Sequence, residues 1–509
     1  MGVDATIDVT PEERQTVLAL VQRHLPGTAA WVYGSRAKWT STPTSDLDLV
    51  VFATPEQQPQ VGDLREALEE SNLPFRVDLF VWDDVPDSFR RRIRAEHVVL
   101  AGATERCDRD GWIEKRLGDV ITLKRGYDLP ERDRRNGPVP VVSSSGITDY
   151  HSDSKVSGPG VATGRYGTLG KVFFIPNDFW PLNTALYVRD FKGSDPRFIS
   201  YFLRSVDFSN CSDKAAVPGL NRNHLHEETV RVPGSVAEQR AIAHILGTLD
   251  DKIELNRRMN ATLEEMARAL FRSWFVDFDP VRAKMEGHDT GLAKEVADLF
   301  PDRLVDSELG EMPEGWTVGH VEDDFEIVMG QSPPGHTYND TGDGLPFFQG
   351  RSDFEFRYPR NRKFCTAPNR MAQPWDTIVS VRAPVGDINM AWERCCIGRG
   401  VAALRPRSRA VSYGYYTIQV LQAHMREYEH TGTVFGAINR KQLARLPLQQ
   451  PAPGVIRSFE DFVHPWDQMI RLRTAEVATL TAFREALLPK LVSGELRVRD
   501  AERLVGAIA

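Results

Sequence analysis

The sequence predicts a multidomain α/β protein: an N-terminal α/β domain, two strand-rich α/β modules, and two long helices pairing as an antiparallel coiled coil. Three observations point there. The 509 residues are too many for one core, and at about 150 residues per domain they make three or four. Two segments, Gly111-Trp112 to Pro233 and Gly315-Trp316 to Pro447, open on Gly-Trp and run through short strand-like pieces. They close alike, on Gly219-Leu220-Asn221-Arg222-Asn223-His224-Leu225 and on Gly436-Ala437-Ile438-Asn439-Arg440-Lys441-Gln442-Leu443. Past each closure the apolar spacing changes to the threes and fours of a helix.

The first domain, residues 1–105, starts with a helix. Thr10 is placed as N-cap, Pro11 as first helical residue and Glu13 to complete a capping box, and the helix buries Val17, Leu18, Val21 and Leu25. A strand at 30–33 leads to Gly34-Ser35, a polar stretch, and a second strand through 45–52 that carries Asp46 and Asp48. Residues two apart on a strand share a face. Asp78 lies in a third, apolar strand at 75–81. Three carboxylates converging on one sheet face repel each other unless a cation sits between them, so Mg²⁺ is expected at Asp46, Asp48 and Asp78. Gly34 and Ser35 then offer backbone N–H groups and a hydroxyl to a nucleoside triphosphate. The plainer alternative is that Asp46 and Asp48 end a turn and Asp78 pairs with an arginine.

In the first module, residues 111–237, strands are expected at 118–123, 139–142, 160–163 and 170–175, and a helix at 196–206. The second, residues 315–450, offers a strand at 377–382, a turn at 383–387 and a helix at 413–428. From Ile242 a seam runs Leu246, Leu249, Ile253, Asn256, Asn260, Leu263, Ala267, Leu270 and Trp274, the alternation of a coiled coil over 238–280. Two asparagines in a seam lower stability but penalise wrong registers. A linker at 281–314 follows. The partner helix, within 455–500, carries Ile470, Val477, Leu480, Leu487 and Leu491 and stops at Ser493-Gly494.

The net charge of -8 hides an uneven distribution: each module is +3 (17 Lys and Arg against 14 Asp and Glu, and 16 against 13), while residues 1–105 and 238–314 are each -7. That footprint is compatible with DNA contact. Five cysteines, none with CxxC spacing, fit a reducing compartment without zinc. With no apolar run of about 20 residues and no leader-like start, a cytoplasmic protein away from membranes is expected.

The pattern Gly34-Ser35, ten residues, Asp46-x-Asp48, then Asp78 resembles the minimal nucleotidyltransferases of the DNA polymerase β superfamily, which include antitoxins of toxin–antitoxin pairs. The resemblance implies that Asp46, Asp48 and Asp78 are the catalytic, Mg²⁺-holding acids and Gly34 and Ser35 the nucleotide-binding pair, and it raises a toxin partner. The segments Glu238-Gln239-Arg240, Leu249-Asp250-Asp251-Lys252-Ile253, Phe275-Val276-Asp277-Phe278-Asp279-Pro280 and Leu487 to Leu496 are similar to the DNA specificity subunit of type I restriction-modification systems, over about residues 111–500. That resemblance implies two target-recognition domains reading a split site on double-stranded DNA, with helices that act as a ruler and dock methyltransferase subunits. It implies no catalytic residues in this part: S-adenosylmethionine chemistry belongs to the modification subunits, and ATP-driven cleavage to the restriction subunit. By chemistry alone, candidates for DNA contact are Arg125, Tyr127, Arg165, Tyr166, Arg222 and Asn223 in the first module, and Arg351, Arg382, Arg440 and Lys441 in the second. The alternative function is a nucleotidyltransferase that the modules target to DNA, and a third reading makes the front domain an inactive interaction module.

Overall fold

The computed structural model describes residues 7–42, 45–54, 57–86, 89–90, 93, 96–101, 111–165, 170–206, 220–430 and 436–506. They fall into two compact, mixed α/β units, residues 1–246 with 487–509 and residues 247–486.

The first unit begins with the helix Pro11–His24, whose start is as the residues dictate: Glu13 N donates to Thr10 Oγ1 at 3.2 Å and Thr10 N to Glu13 Oε2 at 2.7 Å. Val17, Val21 and Leu25 are buried, and Leu18 is half-buried. The sheet under it contains β1 (Ala30–Tyr33), β2 (Leu47–Val51), β3 (Val77–Val81) and β4 (His97–Ala101), in the order β3-β2-β1-β4. β2 and β3 are parallel, and the other pairs are antiparallel. Leu49 and Val51 alternate with Asp48 and Val50 along β2, so the helix-covered face is apolar and the acid points the other way.

The two modules, each read within its own unit, share one frame. In both, the strand after Gly-Trp pairs antiparallel with the closing strand: Trp112–Arg116 with Thr229–Pro233, and Thr317–His320 with Pro447–Gln450. A single helical turn follows, Leu117–Val120 or Val321–Asp324. In the first module this replaces most of the strand expected at 118–123, because Leu117 and Val120 are buried at helical, not alternating, spacing.

Each main sheet is then built in the same order: Val172–Ile175, Gly160–Gly164, Ala185–Asp190, Thr122–Arg125 in the first, and Ile388–Met390, Thr377–Ser380, Val401–Pro406, Phe325–Met329 in the second. The irregular bonds coincide too. Tyr127 N donates to Pro181 O as Gln331 N does to Ile397 O, Leu182 N to Val142 O as Gly398 N to Phe348 O, and Arg165 N to Thr184 O as Val381 N to Gly400 O. A Cβ on Gly126 or Gly330 would run into the carbonyl oxygen of Leu182 or Gly398, so both places require glycine.

The expected helix at 413–428 divides into Val411–Val420 and Gln422–Glu427. Residues 279–313 form ordered structure, with helices at Asp279–Met285 and Lys294–Ala297 and the hairpin Leu304–Ser307 with Gly310–Pro313, and Phe300 and Met312 join the core.

The long helices are Val236–Phe275 and Pro453–Ser493, the latter stopped at Gly494 with positive φ. In the second unit their partners run in opposite order: Asp250 with Arg484 at 2.6 Å, Lys252 with Glu476 at 3.4 Å, and Asn260 Nδ2 donating to Thr474 Oγ1 at 3.2 Å. Asn256 and Asn260 are both buried. The seam departs from the expected one past Asn260: Leu263 and Leu270 are half-buried, while their neighbours Glu264 and Phe271 take the core. A straight helix of 3.6 residues per turn drifts against a 3.5 repeat, which moves the buried face by one residue.

Asn256 Nδ2 and Asn260 Oδ1 are each buried without a partner among the described residues, but Asn260 Nδ2 donates across the pair. Asn256→Leu should therefore raise stability in urea unfolding by about 1–2 kcal/mol, and Asn260→Leu by less, because it gives up the Thr474 bond. Equal gains would place both amides in equivalent surroundings.

Candidate functional site

The acids of the front domain are positioned by strand register. Asp48, central on β2, stands opposite Tyr33 of β1 and opposite Asp78 of β3. Cβ atoms at paired positions lie about 5 Å apart on one face, so the two carboxylates are neighbours. Asp46 lies just before β2 rather than on it, exposed, and no three His, Cys, Asp or Glu side chains among the described residues are placed as a set to hold a metal ion. Asp78 is also 3.3 Å from Arg76 Nε, an exposed pair of the kind the plainer reading expects. The structure thus brings two of the three acids together and leaves the third at the rim.

Burial, then Asp78, then Asp46 push the Asp48 carboxyl above the usual carboxylate range. Tyr33 is pushed up by burial and by the same two acids, Asp48 and Asp78. Gly34 has φ of 78°, and a Cβ there would collide with Asp48 Oδ2, so the turn passes directly over the acid. Ser35 follows, half-buried, and its carbonyl accepts from Lys38 N and Thr40 N. A residue the sequence did not single out closes this turn. Arg36 is buried, donates from Nε and Nη2 to Ser45 O and from Nη1 to Asp8 O, and lies 4.0 Å over the Phe75 ring. It ties the Gly34-Ser35 turn to the residue before Asp46; a basic residue right after Gly-Ser was the available signal.

In the modules the shared closure acquires a structural reason. Leu220 and Ile438 are buried, Asn221 and Asn439 cap the helices Arg222–Glu227 and Arg440–Ala444, and Leu225 and Leu443 are buried one turn on. Arg222 and Arg440 are therefore exposed at equivalent places, with Asn223 and Lys441 beside them. The closures return to the main sheet through Leu220 N to Arg165 O and Ile438 N to Val381 O, at 3.0 Å each. Tyr127 receives a hydrogen bond from Lys124 Nζ at 3.2 Å and lies 3.0 Å from the Tyr187 hydroxyl; the hydrogen bonds from Tyr187 and Lys124 hold its phenol below the ordinary value. Arg125 is exposed at its strand end, and Tyr166 lies outside the described residues.

In the second module Arg351 and Arg382 face one cleft of about 220 Å³. Arg399, which the sequence reading missed, lines it with them, and Arg351 is tied to Asp387 at 2.5 Å.

Fold and site together define a two-part molecule, an acid-bearing nucleotidyltransferase-type sheet followed by a duplicated recognition frame with long helices. The family model described as type I restriction modification DNA specificity domain matches residues 109–265, and that described as polymerase beta, nucleotidyltransferase matches residues 15–106. Over 314 residues the chain is 26% identical to a putative type I restriction enzyme MjaX specificity subunit of Methanocaldococcus jannaschii, covering 60% of this chain and 69% of that protein. Over 97 residues, 19% of this chain and 85% of the relative, it is 37% identical to a probable protein adenylyltransferase MntA of Haemophilus influenzae. A crystal structure of the type I restriction-modification S subunit from M. genitalium shares the fold, with a TM-score of 0.52 and 17% identity over 75% of this chain and 96% of that one. The chain carries a type I restriction-modification DNA specificity domain, resembles specificity subunits over 60% of its length, and has a polymerase β-type nucleotidyltransferase domain in front. No helix among the described residues is long and apolar enough to cross a membrane.

The raised Asp48 carboxyl gives a signed pH dependence. The folded state holds this proton more tightly than the unfolded one, so its contribution to stability is present at low pH and is lost as pH rises through the folded-state titration. Asp48→Asn should match wild type near about pH 4 and slow amide exchange of Leu47–Val51 relative to wild type by about pH 7. Identical protection at both pH values would mean that neither burial nor the neighbouring acids raise the Asp48 carboxyl.

Proposed function

We propose that this chain is the DNA specificity subunit of a type I restriction-modification complex, each module reading one half of a bipartite site and the helix pair, as an antiparallel coiled coil, setting the gap. The duplicated frame supports this reading most directly: one backbone scaffold, repeated to the level of individual irregular hydrogen bonds, presents different side chains twice. That is what two reading heads for two sequences require. Methyltransferase and restriction subunits are the partners, and they supply the S-adenosylmethionine and ATP chemistry. The cytoplasm, where such DNA is met, is the place of action. When the chain is co-expressed with its methyltransferase, methylome sequencing should show a two-part motif, and exchanging residues 111–237 for another such module should alter one half alone. A continuous motif, or a change in both halves, would falsify the two-head reading.

For the front domain we infer a Mg²⁺-dependent nucleotidyltransferase acting on a protein, with a toxin as candidate partner; likeness to the adenylyltransferase and the Gly34, Asp48 and Asp78 arrangement support it. Asp48 and Asp78 fit a divalent cation, since their mutual repulsion is what such an ion removes, and Asp46 would complete the set from the rim. The metal would supply charge neutralisation for a nucleoside triphosphate. Gly34 keeps the turn close enough for the backbone and the Ser35 hydroxyl to meet phosphate, and Arg36 holds that turn. Asp48→Ala with Asp78→Ala should abolish stabilisation of residues 30–52 by Mg²⁺ with ATP and transfer of labelled nucleotide, while DNA recognition persists. Wild-type protein showing no exchange protection with Mg²⁺ and any of the four triphosphates would identify an inactive module.

A further inference from the structure

Because the two modules share a backbone frame, side chains can be compared place by place. From the bonds Leu182 N to Val142 O and Gly398 N to Phe348 O, and from Arg165 N to Thr184 O and Val381 N to Gly400 O, Asn183 in the first module occupies the place of Arg399 in the second. Past Val142 and Phe348 the modules differ, with a tight turn into Gly146–His151 in the first and a 3-10 turn at Arg351–Asp353 in the second, so register gives Arg351 no counterpart. Counting one residue on from Arg165 and Val381 sets residue 166, outside the described residues, against Arg382. Where the second module gathers three arginines around a cleft, the first carries the neutral Asn183 at the described place equivalent to Arg399.

The closures behave oppositely. Arg222 and Arg440 are the same residue at the same place, each exposed and each just after the capping asparagine. Phosphates repeat along a duplex whatever its sequence, so a phosphate contact can be met by the same cation in both modules. Base edges differ between half-sites, so the groups that read them must differ. Arginine placed in the major groove is matched to guanine, whose O6 and N7 accept both of its parallel N–H donors.

Resting on the specificity-subunit reading above, we propose that Arg382 and Arg399 read guanine in the half-site of the second module, while Arg222 and Arg440 hold phosphate in both. Arg351 is already engaged by Asp387, so it forms the wall of the cleft rather than a reader. Arg382 and Arg399 are exposed, and neither has a carboxylate partner among the described residues. Their donors are thus available to a ligand without breaking an internal pair.

The full chain, co-purified with its methyltransferase subunits, is used to select duplexes from a library with both half-sites randomised. One enriched half-site should contain guanine. Arg382→Ala and Arg399→Ala should each lower discrimination at a guanine position of that half by about ten- to a hundred-fold and leave the other half unchanged. Arg222→Ala and Arg440→Ala should weaken every duplex and reduce the slope of log K against log salt by about one each. If Arg382→Ala and Arg399→Ala instead weaken all duplexes alike with that loss of slope, they contact phosphate and the assignment is overturned. An enriched motif with no guanine, or one the two variants leave intact, overturns it as well. If wild type selects no bipartite sequence at all, the specificity-subunit reading itself fails.

Discussion

The second unit is organised around one buried guanidinium. Arg357, in the left-handed region at φ of 64°, has a fully buried side chain, with Nη1 2.5 Å from Glu264 of the central helix and Nη2 2.6 Å from Asp467 of the C-terminal helix. It lies 3.7 Å over the Tyr415 ring and donates to the Tyr416 hydroxyl at 3.1 Å. Burial works against its charge, but Asp467, the two tyrosines and Glu264 outweigh that and hold it protonated; burial also pushes the Asp467 carboxyl up while Arg357 pulls it down. Such a cluster contributes little net stability compared with an apolar core of the same volume. Its consequence is geometric. Apolar helix faces tolerate a slip of one residue, whereas a buried guanidinium ion-paired to a carboxylate on each helix meets both in one register, so the helix pair and the module carrying Arg357 are fixed together. Around it Phe271, Trp274, Phe275, Tyr413 and Phe459 provide the area that makes the assembly stable.

The same division between what fixes the frame and what faces outward runs through both modules. Gly126 and Gly330 are required by an approaching carbonyl, Asn221 and Asn439 by a helix start, and Leu225 and Leu443 by burial. None of these distinguishes one module from the other. By the same register, Lys124, Tyr127 and Tyr187, which form a hydrogen-bonded group in the first module, fall opposite Val328, Gln331 and Ala403 in the second. A frame held by backbone bonds keeps its course while such places change, even where, as with Tyr187 and Ala403, the side chain is packed in the core.

This division also explains what the sequence revealed. The start of the first helix, the strands carrying Asp48 and Asp78, and the burial of Asn256 and Asn260 follow from local rules and were legible. The shared closure was legible as a repeat, although its cause, a capped turn between two buried apolar anchors, needed the fold. Arg357 was not legible, since its partners lie far away along the chain and each alone looks like an ordinary surface charge. Arg399 escaped for a related reason: its importance comes from the cleft, which only sheet register assembles. The drift from Leu263 to Glu264 is a geometric effect that a strict heptad reading omits.

The front domain is built on a different constraint, because its sheet keeps two carboxylates side by side where packing does not need them. Leu49 and Val51 on β2 and Leu79 and Val81 on β3 supply the core, and neutral residues at 48 and 78 would leave that core intact. Repulsion between Asp48 and Asp78 is a cost to folding, offset in part by Arg76, whose exposed pair with Asp78 is of the weak kind. Gly34 and Arg36 act in the same direction: the turn is held tight over Asp48 by a buried arginine, at a place where any side chain would strike the carboxylate. Local features that oppose stability and yet are held in place by buried contacts support the nucleotide site proposed for this domain. By that physical criterion the acids contribute nothing to the fold, which rests on the aromatic and aliphatic residues beneath them, and this supports the role proposed for them.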